Sequence, residues 1–69
     1  MIQIFKTNVE NAEQAQGLLV LLYHYFPYTE INFDLEDCDS ILRVKGERFH
    51  PLAIIKTLAN SGFECTILE

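Results

Sequence analysis

The chain has no tryptophan, two cysteines, three glycines, and five lysines and arginines against ten aspartates and glutamates, for a formal charge of −5. Each scarcity excludes a class. So few cations in an acidic chain repel a phosphate backbone, and no basic stripe or aromatic stacking platform offsets the repulsion, so no nucleic acid partner is expected. Cys38 and Cys65 are too few and too far apart in sequence for a disulfide scaffold or a zinc motif, and reduced thiols are expected. The longest apolar run, Leu18 to Tyr23, is far short of the roughly 20 residues that cross a bilayer. The opening residues also lack a basic segment followed by an apolar one, so no membrane insertion and a cytoplasmic location are expected. The three glycines do not cluster into a phosphate-cradling loop, and no Cys-His or Ser-His-Asp pattern can be placed together, so neither catalysis nor a cofactor is expected.

What is present suits a compact fold. Residues 1–69 make one domain, near the lower size limit for a core without staples. A hydrophobic fraction of 49%, with five phenylalanines and three tyrosines, is far from the composition of disordered chains. The apolar pattern is complete without a ligand cluster, so metal-independent stability is expected.

Ile2 and Ile4 alternate in a first strand over residues 1–6, with Phe5 pointing to the opposite face. Two overlapping cap signatures, Thr7-x-x-Glu10 and Asn11-x-x-Gln14, start a helix between residues 7 and 12. Ala12, Ala15, Leu19, Leu22 and Phe26 form its buried stripe, and Pro27 ends it. Thr29, Ile31, Phe33 and Leu35 face inward in a second strand, and Leu42 and Val44 in a third, joined by the acidic turn 36–40. His50-Pro51 opens a second helix, with His50 as its cap and Leu52, Ile55, Leu58 and Ala59 as its stripe. After Ser61-Gly62, Phe63, Cys65 and Ile67 alternate in a last strand. Strand, helix, strand, strand, helix, strand predicts an α+β, ferredoxin-like fold, a four-stranded antiparallel sheet in the order 4-1-3-2 with both helices on one face.

The chain resembles the heavy-metal-associated domains, the family of copper chaperones, along its whole length. The resemblance is carried by the element order, by Ile2 and Ile4 leading into the first loop, by Leu42-Arg43-Val44-Lys45-Gly46, and by Leu58-Ala59-Asn60-Ser61-Gly62-Phe63 at the end of the second helix. That family holds metal with Met-x-Cys-x-x-Cys in the first loop, where this chain has Thr7-Asn8-Val9-Glu10-Asn11-Ala12. The resemblance implies a member whose thiolate positions, at Val9 and Ala12, are vacant, because neither side chain has a lone pair to donate. It does not extend to ferredoxin-like acylphosphatases, whose phosphate loop carries an arginine; Arg43 and Arg48 lie on or just after the third strand.

Other ligands are sparse. Cys38, Cys65 and His24 are the alternatives, and in a 4-1-3-2 sheet the two cysteines stand two strand spacings apart, beyond disulfide reach. Asp34, Glu36, Asp37 and Asp39 lack the order of a calcium loop and read as a solvated turn. Two surfaces carry apolar residues beyond the needs of a monomer: Val20 and Leu21 beside His24 on the outer face of the first helix, and Phe5 with Ile41 on the open face of the sheet. These are the interface candidates. They suggest a non-catalytic domain acting through protein interaction or as a homodimer, and an acidic rim of Glu30, Asp34, Glu36, Asp37 and Glu64 favours a basic partner. Metal transport through unusual ligands and small-ligand sensing at a dimer interface are the other two classes.

Overall fold

A computed structural model describes residues 1–68. Its elements are β1 (Ile2–Thr7), α1 (Ala12–Tyr25), β2 (Glu30–Asp34), β3 (Ile41–Lys45), α2 (Pro51–Asn60) and β4 (Cys65–Ile67). The antiparallel sheet runs β2-β3-β1-β4, the expected order seen from the other edge. No helix of the described residues is long and apolar enough to cross a membrane.

The inner face of the sheet is fixed by register. Phe5 stands opposite Leu42 and Gln3 opposite Val44, and Phe5, Leu42 and Val44 are fully buried with Ile31 beside them. The expected phase of β1 is therefore inverted. Ile2 is 59% exposed, and Phe5 is a core residue rather than an interface residue. A single aromatic ring buries more apolar surface than either isoleucine, and Thr7 and Val9, which continue its parity, are buried too. Ile41 does lie on the open face, opposite Lys6 and Asp34, yet it is only 6% exposed. Its cross-strand partner Lys6 pairs with Asp39 at 3.5 Å, and with so little of it exposed Ile41 offers no docking surface.

The buried stripes of the helices also differ from the expected ones. Helix α1 buries Ala15, Leu18 and Leu22, with Leu19 and Phe26 packed against them; Ala12 is exposed. Helix α2 buries Ile54 and Leu58, whereas Leu52 is 67% exposed and Ala59 lies outside the stripe. Leu21 is half-buried and lines a groove between the helices with Phe26 and Ala53, while Val20 is 72% exposed. Five consecutive apolar residues, 18–22, satisfy several stripe phases equally, and packing on the sheet and on α2 selects among them.

The helix ends follow local chemistry. Of the two possible caps Asn11 is used, its Oδ1 accepting the Gln14 N–H at 2.9 Å. Gln14 reaches back, and its Oε1 accepts the Glu10 N–H at 2.8 Å, a reciprocal arrangement akin to a capping box. His50 occupies the cap position of α2 but makes no side-chain bond there. Gly62, at φ +89, closes α2: its N–H donates to Ala59 and that of Phe63 to Leu58, a Schellman motif that needs the left-handed conformation.

Two substitutions separate the inner from the outer face of β1. Phe5→Ala should cost about 3–5 kcal/mol, while Ile2→Ala should stay within about 0.5 kcal/mol of wild type. Urea denaturation of both reads the difference, and equal losses would reverse the phase assigned to the strand.

Candidate functional site

The first loop, where the resemblance would place a metal, is a structural junction. Thr7 is buried at the end of β1. Its hydroxyl donates to the Ser40 carbonyl at 2.7 Å and accepts the Val9 N–H at 3.2 Å, and its own N–H donates to the Asp39 carbonyl at 3.1 Å. Ser40 presents that carbonyl from an unusual left-handed backbone, φ 45, so the β2–β3 turn is bent onto β1. Asn8 makes the equivalent link on the other side: its N–H donates to the Glu64 carbonyl at 3.3 Å and its Oδ1 accepts the Glu64 N–H at 2.8 Å. Two consecutive residues thus tie β1 to both neighbouring loops. Among the described residues no buried side-chain nitrogen or oxygen lacks a partner.

The two vacant positions do not share an environment. Val9 is 1% exposed and part of the core, whereas Ala12 opens α1 in solvent. Convergence of two side chains on one ion requires both to point out of the fold at the same place, and these point apart. The residues that flank the helix start in solvent are Asn11 and Gln14, a pair with the i, i+3 spacing of Cys-x-x-Cys, and both are engaged as caps. Their polarity marked them as caps in the sequence; the buried valine before them gave no such mark.

The alternative ligands are dispersed. Cys38 is exposed in the β2–β3 turn, and Cys65 is buried in β4, opposite Thr7. Burial pushes the Cys65 thiol up from 9.0 to about 12, because a thiolate there would lose its hydration. His24 lies exposed in the last turn of α1, edge-on to Tyr25 at 5.1 Å. Among the described residues the closest grouping of donor atoms is Asp37, Cys38 and Asp39, all within 4.8 Å. Those carboxylates already serve the turn: Asp37 Oδ1 accepts the Asp39 N–H at 2.9 Å, and Asp39 pairs with Lys6. The acidic rim is likewise divided, with Glu30 and Asp34 on β2 at one edge of the sheet and Glu64 beside β4 at the other.

The apolar residues of the open face collect on its β1 side. Ile2 and Ile4 alternate with half-buried Gln3 and buried Phe5, and Leu68, whose N–H donates to the Ile4 carbonyl at 2.9 Å, continues the patch past β4. On the β2–β3 side the face is charged, with Glu30 opposite Lys45. No protein-family model matches the chain, and no curated protein and no solved structure matches it either.

Thr7→Val keeps the shape of the side chain and removes its hydroxyl, stranding the Ser40 carbonyl and the Val9 N–H. The expected cost is about 1–3 kcal/mol, which lowers the melting temperature by roughly 4–8 °C per kcal/mol in a domain of this size. A melt unchanged within error would show that the junction is dispensable. Thiol labelling of the native protein at pH 8 should modify Cys38 quickly and Cys65 only after denaturant is added; rapid labelling of both would contradict the burial of β4.

Proposed function

We propose that this protein is a small, non-catalytic interaction domain of heavy-metal-associated type that keeps the ferredoxin-like fold without the thiolate loop. The observation that supports it most directly is the use made of the first loop. Thr7, Asn8, Asn11 and Gln14 each spend side-chain polar atoms on backbone groups, so the loop keeps no convergent set of soft donors for an ion. Burial also suggests the register of the resemblance. If Val9, in the core, takes the place of the methionine, the two thiolate positions fall on Asn11 and Gln14 rather than on Val9 and Ala12. Function then rests on surface, and the patch of Ile2, Ile4 and Leu68 beside a charged half-face is the kind of apolar centre with polar surroundings that protein partners use.

Calorimetric titration with Cu(I) and Zn(II) under reducing conditions tests this. The wild type should show no stoichiometric complex tighter than about micromolar, equivalent to roughly 8 kcal/mol, and its melting temperature should be the same with and without EDTA. Asn11→Cys with Gln14→Cys should gain Cu(I) binding through two exposed sulfurs, while Val9→Cys with Ala12→Cys should not. Tight binding by the wild type would overturn the reading, and its loss in Cys38→Ser would move the function to the β2–β3 turn.

A further inference from the structure

The two edges of the sheet are treated differently. At the β2 edge the Ile31 N–H donates to the Tyr23 hydroxyl at 3.0 Å, and that hydroxyl donates to the Ile31 carbonyl at 3.4 Å, so a side chain of α1 occupies one of the outward-facing residues that another strand would need. At the β4 edge the Asn8 N–H donates to Glu64 and the Leu68 N–H to Ile4. Residues 64, 66 and 68 therefore turn their backbone toward β1, and in an antiparallel ladder the alternate residues Cys65 and Ile67 turn theirs outward. Among the described residues no side chain caps them, and the sequence Cys65-Thr66-Ile67 has none of the lysines, prolines or bulges that usually protect an edge.

The side chains on this edge carry matching shapes. Cys65 and Ile67 stand opposite Thr7 and Phe5, both buried, so they face the helix side of the sheet. There Ile67 is 41% exposed, and Cys65 borders a groove of about 610 Å³ with Ile55, Ala59 and Phe63 along one wall and Lys6, Asn8 and Glu64 at its mouth. A projecting isoleucine and a groove with one apolar wall thus lie two residues apart on one strand.

We propose that the β4 edge takes a second copy of this chain, whose own β4 pairs antiparallel about a two-fold axis at Thr66. This rests on the interaction-domain reading and names the partner. The axis sets Cys65 opposite the second copy's Ile67 and repeats the match in reverse, giving two hydrogen-bonded pairs that each exchange both N–H···O bonds. Each Ile67 enters the other copy's groove. On the open face Thr66 meets Thr66 and Glu64 meets Leu68, so no like charges are opposed across the seam. A standard interface takes roughly 800 Å² from each partner, about one-sixth of the 4767 Å² surface of this chain. A three-residue edge with its groove offers less, so the dimer is weak, in the micromolar to millimolar range. Both copies carry the charge of −5, and salt strengthens the pairing by screening their repulsion.

Sedimentation from micromolar to millimolar concentration tests it, with amide shift changes followed on dilution. The wild type should pass from monomer to dimer, more readily at higher salt, with shifts concentrated at residues 63–68 and at Ile55 and Ala59. Ile67→Lys should weaken association by about tenfold or more, the equivalent of at least 1.4 kcal/mol. Ile67→Pro should do the same with circular dichroism unchanged, because the N–H it removes points away from β1. Val20→Glu, on the outer face of α1, should leave association as in wild type. A wild type that stays monomeric to millimolar concentration, or a dimer that survives both changes at Ile67, overturns the assignment of the second copy. A chain that dimerises in this way but also binds Cu(I) tightly overturns the metal-free reading instead.

Discussion

The hydroxyl of Thr7 and the amide of Asn8 hold the end of β1 to two segments distant from it in sequence. Thr7 fastens the β2–β3 turn to the end of β1, and Asn8 fastens the segment that leads from α2 into β4. Strand β4 is only three residues long, too short to hold its register by ladder bonds alone, and the Asn8–Glu64 pair extends the pairing by one step. Val9 then enters the core and Asn11 caps α1. Over five residues the chain leaves the sheet, fills a hydrophobic position and starts a helix.

That arrangement bears on function through its demand for donors and acceptors. A metal loop must leave its ligand atoms free and convergent, whereas a junction must satisfy its backbone groups from its own side chains. One short loop cannot do both well. With the loop occupied, the parts of the molecule left with unspent capacity are apolar surface on the β1 side of the open face and backbone groups on the β4 edge. Both lie next to β1, on the opposite side of the sheet from the edge capped by Tyr23.

The element order, the hairpin, the helix ends and the order of strands were legible because they depend on strong local signals: Pro27, Pro51, Gly62 and the alternation around Ile31 and Val44. The phase of β1 was not. Ile2, Ile4 and Phe5 support either face by hydrophobicity, and what decides between them is Thr7, a polar residue whose burial is favourable only once the Ser40 carbonyl is in reach. The continuous apolar run of α1 hides its phase, and in α2 the adjacent Ile54 and Ile55 can each lead a stripe. The same ambiguity bears on the surfaces, since Phe5 looks exposed only under the other phase of β1 and is fully buried, as Ile41 nearly is. In the first loop, Val9 and Ala12 have the spacing of the thiolate pair, and spacing carries no information about which side chain turns inward.

Native-state hydrogen exchange of the amides at Val9, Gln14 and Glu64 tests the junction most directly, because each donates to a side-chain oxygen of Thr7, Asn11 or Asn8. If the loop is a built junction, the Val9 and Glu64 amides should exchange with an opening free energy close to that of Leu42 and Val44 in the central strands, and Gln14 with that of α1. Amides at Val9 and Glu64 that exchange as fast as an unstructured chain, while the β3 amides stay protected, would contradict the account and return the loop to the role of a free binding site.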